Sequence, residues 1–289
     1  MDGVCGSYRK GDKMNNMNNV KGAFLIAVLA TMALVAVACS RPISREVVIR
    51  GPQPPALPPS AAAGCPASAP QIPIIGQIAP SFTAETTQGT INFPEDYKGK
   101  WTILFSHPAD FTPVCTTEFM TFASMEPEFE KLNTKLVGLS IDSVYSHIAW
   151  LRTIKEKAKY KGMSGVEVNF PLIADIKMDV AKKYGMLQPT ASDTKAVRAV
   201  FFIDPESKIR AMIYYPLSNG RNFQEIKRLL VAMQTADREK VATPADWQPG
   251  DDVIVPPPGS CGQAKERVDG AAQAGMNCED WFLCFKKLP

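Results

Sequence analysis

The residues best placed to do chemistry lie in the segment HPADFTPVCTTE (107–118), which follows directly on the apolar run WTILFS (101–106). Proline fits a helix comfortably only in its first turn, where its missing N–H is not needed. Pro113 therefore marks the first helical residue, Thr112 the N-cap and Cys115 the third position. There the sulfur lies near backbone N–H groups without helical partners and at the positive end of the helix dipole, which favours thiolate over thiol. The Thr112 hydroxyl, in the same turn, can both donate to and accept from an oxygen presented to the sulfur. These residues propose an activated cysteine with its own polar clamp. A buried structural cysteine opening a core-facing helix fits them equally well.

An activated cysteine needs a rigid strand behind it and a packed helix ahead of it. From Trp101 the pattern alternates WTILFS, a helix over Pro113–Lys131, KLVGLSI (135–141), a helix over His147–Tyr160, and NFPLIAD (169–175). That is a β-α-β-α-β rhythm. AVRAVFFID (196–204) and KIRAMIYY (208–215) follow, split by Pro205-Glu206-Ser207, a hairpin signal. Between Arg221 and Ala236, Phe223, Ile226, Leu229, Leu230 and Met233 recur at spacings of three and four, one face of an amphipathic helix. This order is that of a thioredoxin-like α/β fold, here with a C-terminal extended arm. Trp150 reads as core, and His147, beside it at the start of its helix, as a surface or interface residue.

Around this domain the composition shifts. Residues 22–38 (GAFLIAVLATMALVAVA) carry no charge, Arg9, Lys10, Lys13 and Lys21 precede them, and Ala36-Val37-Ala38 stands just before Cys39. A run of 17 residues is short of the ~20 that a spanning helix needs. Residues 1–38 thus read as a secretory signal peptide. Without it the chain holds 28 bases against 27 acids, with no basic cluster, which argues against a nucleic-acid partner. Residues 39–73 are rich in Pro, Ala and Ser and read as a semi-rigid spacer. The folded domain is expected over 74–240, and an arm with a Cys-containing tail over 241–289. Two His and seven Cys, with no C-x-x-C pair, give no recognisable metal or haem signature.

Pro108-x-x-x-Thr112-x-x-Cys115 resembles the active-site loop of peroxiredoxins, and FSHPADFTPVCTTE resembles their one-cysteine subfamily in nearly every position. The likeness runs from about residue 74 to 258 and takes in Arg198 in AVRAVFF, GRNFQEI (220–226) and VATPADWQPGD (241–251). It implies a thiol-dependent peroxidase acting on hydrogen peroxide and alkyl hydroperoxides. In that role Cys115 attacks the peroxide, Thr112 hydrogen-bonds it, Pro108 shields the thiolate and Arg198 stabilises it. His107 and Arg221 match neighbouring site residues. The resemblance requires no cofactor or metal, and it implies a thioredoxin-like or other thiol reductant and a homodimer or ring of dimers. A thiol-disulfide oxidoreductase of the cell envelope on the same fold is the competing function, but it needs a second cysteine at 118, where Glu stands.

Cys278 and Cys284 flank an aromatic pair, as in the longer, archaeal-type members, where the second cysteine resolves the sulfenic acid. By that match the resolving residue is Cys284, with Cys278 as the alternative, and a structural Cys278–Cys284 disulfide is a further reading. Cys65 and Cys261 remain as a possible pair. The leader resembles a bacterial lipoprotein signal, which implies lipid attachment at Cys39 and a membrane-anchored envelope protein. Secretion in soluble form is the alternative.

Overall fold

The computed structural model describes residues 72–192 and 194–288. The expected signal peptide, Cys39, Cys65 and nearly all of the spacer lie outside the described residues. Among the described residues no helix is long and apolar enough to cross a membrane.

A seven-stranded mixed sheet organises the domain, with strand order β2-β1-β7-β4-β3-β8-β9. Its strands are β1 (Phe82–Thr86), β2 (Gly89–Phe93), β3 (Trp101–Ser106), β4 (Thr134–Ser140), β7 (Leu172–Ala174), β8 (Arg198–Ile203) and β9 (Ile209–Tyr215). The minor strands β5 (Lys159–Tyr160) and β6 (Met163–Ser164) form a separate hairpin. β3 runs parallel to β4, and β4 to β7, while β8 and β9 return antiparallel. The helices are α1 (Pro113–Lys131), α2 (Val144–Lys157), α3 (Asp179–Lys183) and α4 (Phe223–Glu239).

The period-two alternation of β3 divides the core between the faces of the sheet. Ile103 and Phe105 join Phe119, Phe122, Trp150, Phe223 and Ile226 beneath α1, α2 and α4. Leu104 joins Val137, Phe201, Ala181 and Tyr184 on the face that α3 covers. Elements absent from the sequence reading have local causes. Thr86 Oγ1 donates to the Gly89 carbonyl and accepts from Gln88 N, which closes the β1–β2 hairpin. The Asp175 carboxylate accepts from Val180 N and Ala181 N at the start of α3. α2 begins earlier than the periodicity suggests because Ser143 caps it, accepting from Ser146 N. Expected as a helical residue, Tyr160 lies in β5.

The region after α4 is more ordered than an extended arm. Val241, Trp247 and Val253 pack on Ala232 of α4. β10 (Val253–Ile254), α5 (Cys261–Gly270), β11 (Met276–Asp280) and β12 (Leu283–Lys286) follow, with β10, β12 and β11 joined in one small sheet. The aromatic pair Trp281-Phe282 is the turn of the β11–β12 hairpin, where Pro and Gly content alone gave no sign of pairing.

Candidate active site

The chain leaves β3 through His107 and Pro108 and turns sharply at Phe111, whose φ of 54° is left-handed and uncommon for a bulky residue. Thr112 is extended, Pro113 opens α1, and Cys115 lies in its first turn, as the sequence predicts. The Thr112 side chain makes no cap bond. Its hydroxyl donates instead to the Ala109 carbonyl at 2.9 Å. Expected as donor and acceptor alike, Thr112 therefore has its proton committed and only its lone pairs to offer. The uncapped first turn leaves its N–H groups directed at whatever negative charge forms near the sulfur.

Cys115 is fully buried. Arg198, at the start of β8, donates from Nη1 to Cys115 Sγ at 3.4 Å and from Nη1 to Glu118 Oε2 at 2.6 Å, while Nε and Nη2 hold the Leu217 carbonyl. Arg221, just before α4, donates from Nη2 to Glu118 Oε2 at 2.6 Å and from Nε to Oε1 at 3.0 Å, and its backbone N–H also binds Oε1. Its Nη1 holds the carbonyls of Ser106 and Ala199, so it ties α1 to β3 and β8. Burial alone would raise the Glu118 carboxyl; the two guanidinium groups outweigh it and hold the group below its ordinary value. Two buried cations share one carboxylate. One positive charge is left over, and it lies against the sulfur.

A cavity of ≈ 230 Å³ opens over this cluster, lined by Pro108, Thr112, Pro113, Val114, Lys195, Arg198 and Leu217. Its apolar walls and the cations Lys195 and Arg198 suit a small polar group on an apolar carrier. Pro108, Thr112, Arg198 and Cys115 thus come together. Arg221 is linked to the sulfur through Glu118 and then Arg198.

His107 is also fully buried, stacked on Trp150 with ring centroids 5.1 Å apart and set edge-on to Phe119. Its Nε2 lies 3.1 Å from Asp110 Oδ1. Burial lowers its pKa, against the opposing pull of Asp110. His147 is not the surface or interface residue expected: it is fully buried, because Asp110 and the Ile173 carbonyl satisfy both ring nitrogens. His107, Asp110 and Asp142 bring ligand-type atoms within 4.8 Å of one another. Their bonds to one another and to Ser140 account for that grouping.

Sequence reasoning missed Glu118, Asp110 and Lys195. A carboxylate three residues after a cysteine looks like any helical acid until β8 and the segment before α4, which supply its arginines 80 and 103 residues later, are folded against it.

The tail cysteines are joined to each other: Cys278 and Cys284 form a disulfide across β11 and β12, with Cys284 buried. The reading that paired them structurally is the one the structure contains. Cys261 is exposed on α5 and has no disulfide partner among the described residues.

The AhpC/TSA family matches residues 75–212, and the C-terminal domain of 1-Cys peroxiredoxin matches residues 232–270. A peroxiredoxin of Methanosarcina mazei is 68% identical over 216 residues, which span 75% of this chain and 98% of that protein. The chain belongs to the peroxiredoxin family. A peroxiredoxin of Aquifex aeolicus is 53% identical over 227 residues, 75% of this chain and 98% of that one. Among solved structures, a yeast mitochondrial 1-Cys peroxiredoxin superposes with a TM-score of 0.64 at 43% identity, covering 74% of this chain and 99% of that one. Peroxiredoxin 6 of Arenicola marina gives 0.64 at 36% identity, over 75% and 98%. The fold is thioredoxin-like, and the enzyme is a thiol-dependent peroxidase that uses a peroxide and a thiol reductant.

Proposed function

We propose that Cys115 is the peroxidatic cysteine of this peroxiredoxin and that it reduces hydrogen peroxide and alkyl hydroperoxides. The observation that carries the reading is the contact of Arg198 with Cys115 Sγ inside a cluster holding one unbalanced positive charge. The thiolate attacks the nearer peroxide oxygen, which keeps its proton as the S–O bond forms and O–O breaks, and the departing oxygen takes up the proton lost when the thiol ionised and leaves as water or alcohol. Arg198 and the first-turn N–H groups face the charge that moves onto that oxygen, fixed before the reaction starts. Thr112, its proton held by Ala109, accepts the peroxide O–H. Pro108 walls the cavity. His107 and Arg221 act from behind these groups.

The product is a sulfenic acid. It condenses with a second thiol to a disulfide and water. That thiol is Cys284 once the Cys278–Cys284 bond has been opened by a thioredoxin-like or other small thiol reductant; the yeast relative resolves through glutathione and thioredoxin systems. Pairing of subunits through the arm, as a dimer or a ring of dimers, brings a partner's tail to the site. We further propose that the mature chain starts at a lipidated Cys39 and sits on the envelope membrane, with residues 39–73 as spacer; intact-mass measurement of the membrane fraction tests it, and an unmodified soluble protein would reject it.

The central test is Cys115→Ser in the full chain. Peroxide consumption with dithiothreitol should vanish. Substantial turnover by the folded variant would overturn the assignment.

A further inference from the structure

The chain has two histidines, and both are buried on the same carboxylate. Asp110 Oδ1 lies 3.1 Å from His107 Nε2, and Oδ2 lies 2.8 Å from His147 Nδ1. His147 Nε2 lies 3.1 Å from the Ile173 carbonyl oxygen in β7. A carbonyl oxygen only accepts, so His147 Nε2 carries a proton. Asp110 is held ionised, its pKa lowered to about 2 because its contacts with the two histidines outweigh its burial, and an ionised carboxylate only accepts, so the second short contact forms only if Nδ1 carries a proton too. The ring then holds both protons and forms a buried ion pair with Asp110 that also bonds the backbone of the central sheet.

This fixes the neighbouring ring. With Asp110 ionised, His107 donates from Nε2 and its Nδ1 is a bare lone pair. Among the described residues, that atom is the one buried side-chain nitrogen or oxygen without a hydrogen-bond partner. Leaving such an atom unsatisfied is costly, so it calls for a partner that the protein itself does not supply. His107 adjoins Pro108, which lines the cavity, and its stacking partner Trp150 donates from Nε1 to Thr116, the residue after Cys115.

We propose that His147 is a positioning residue of the peroxidase site: by donating from both ring nitrogens it holds Asp110 ionised, and so keeps His107 as the Nε2–H tautomer with Nδ1 free to accept from a reacting O–H or S–H. The proposal rests on the assignment of Cys115 given above. The groups that face His107 are Asp110 from its own loop, His147 from α2 and Arg221 from the segment before α4; Phe119 and Trp150, packed against it, are uncharged. Asp142 backs Asp110 through its backbone N–H. If His147 is replaced by a neutral residue, Asp110 loses its cation, and His107 takes up a proton to replace it. Nδ1 then becomes a donor and can no longer accept.

The test uses the reduced full chain labelled with ¹⁵N-histidine, since two histidines give a spectrum with two assignable rings. At neutral pH, His147 should carry both ring protons and His107 one, on Nε2. In His147→Gln the single remaining ring, His107, should gain its second proton. The acid limb of the Cys115 oxidation rate, followed by stopped-flow fluorescence with dilute hydrogen peroxide, should then move to higher pH, with a loss of about tenfold near neutrality. A His147 with one ring proton, a His107 protonated on Nδ1, or a folded His147→Gln that leaves tautomer and pH limb unchanged would overturn the proposal. If the variant does not fold, the wild-type spectrum alone still decides. The ring protonation states do not depend on turnover, so peroxidase activity surviving in Cys115→Ser would count against the site and not against this array.

Discussion

The charge left over by two guanidinium groups and one carboxylate ties the stability of this site to its chemistry. Replacing Glu118 with Gln leaves Arg198 and Arg221 buried side by side without a counter-charge, and losing one partner of a buried ion pair costs roughly 3–5 kcal/mol. Urea unfolding of Glu118→Gln should show a loss of that size together with slower Cys115 oxidation; a neutral effect would mean that the cluster is not the keystone described. Thr112 gives a separate prediction. Thr112→Val removes the lone pairs proposed to meet the peroxide and should lower the oxidation rate on the order of a hundredfold, while Thr112→Ser, which keeps the hydroxyl, should stay near wild type in stopped-flow assays. The pH dependence has a definite sign. His107, Asp110 and Glu118 all have lowered pKa values in the folded chain, Asp110 at about 2 because its two histidines outweigh its burial. Each binds fewer protons folded than unfolded, so its contribution is full above its ordinary value and is lost as pH falls below it. Thermal stability should therefore fall steeply below about pH 4.5 through Asp110 and Glu118. Asp175 and Glu126, raised chiefly by burial, oppose this in part. A melting temperature flat from neutrality to about pH 3 would contradict the arrangement.

Helix α1 is held at its start by Arg198 and Arg221 and along its length by aromatic packing against β3 and β4. Gly138 in β4 is where that packing is closest: a Cβ there would lie 2.9 Å from Leu172 Cδ1, 3.2 Å from Phe105 Cζ and 3.4 Å from Phe119 Cζ. Phe119 is one turn beyond Cys115, so Gly138→Ala should push on the helix that presents the sulfur. The expected cost is ~1–3 kcal/mol of overpacking in urea unfolding, accompanied by a reduced rate of Cys115 oxidation; a variant as stable and reactive as wild type would show that Leu172 can give way. At this scale the sequence was informative where a single local rule acts. Pro113 fixed the start of α1 to the residue, and β3 showed as one apolar run. It was silent where partners are distant. Nothing near His147 announces that Asp110, 37 residues earlier, and the Ile173 carbonyl of β7 will bury it, and the five-residue α3 depends on a carboxylate outside its own span.

In the whole molecule, the proposed resolution asks the tail to reach a sulfenic acid at Cys115, which is buried in the first turn of α1. The structure gives the tail a place of its own: β10 holds β12, β12 holds β11, and Cys278 and Cys284 are tied together across the hairpin. As long as that disulfide stands, neither tail sulfur is a nucleophile. Resolution then requires two conditions, a reduced tail and two Cα atoms brought within about 7 Å. Within one subunit, Cys115 sits in the first turn of α1, and reaching it would mean stripping β12 from both its neighbours. A paired subunit would bring a second tail hairpin over the cavity, from which the buried Cys284 must likewise be released. We therefore predict that fully reduced protein treated with one equivalent of peroxide gives a Cys115–Cys284 disulfide between chains, seen as a dimer on non-reducing gels and absent in Cys284→Ser. Protein in which the Cys278–Cys284 bond is kept should instead stop at the sulfenic acid, trapped by dimedone, and proceed to sulfinic acid with excess peroxide. If the dimer forms equally from both preparations, the tail sulfurs are not involved. If Cys278→Ser abolishes the dimer while Cys284→Ser does not, the roles of the two cysteines are exchanged. If reduced protein gives no dimer in any variant, the tail disulfide is purely structural and the resolving thiol comes from outside the chain.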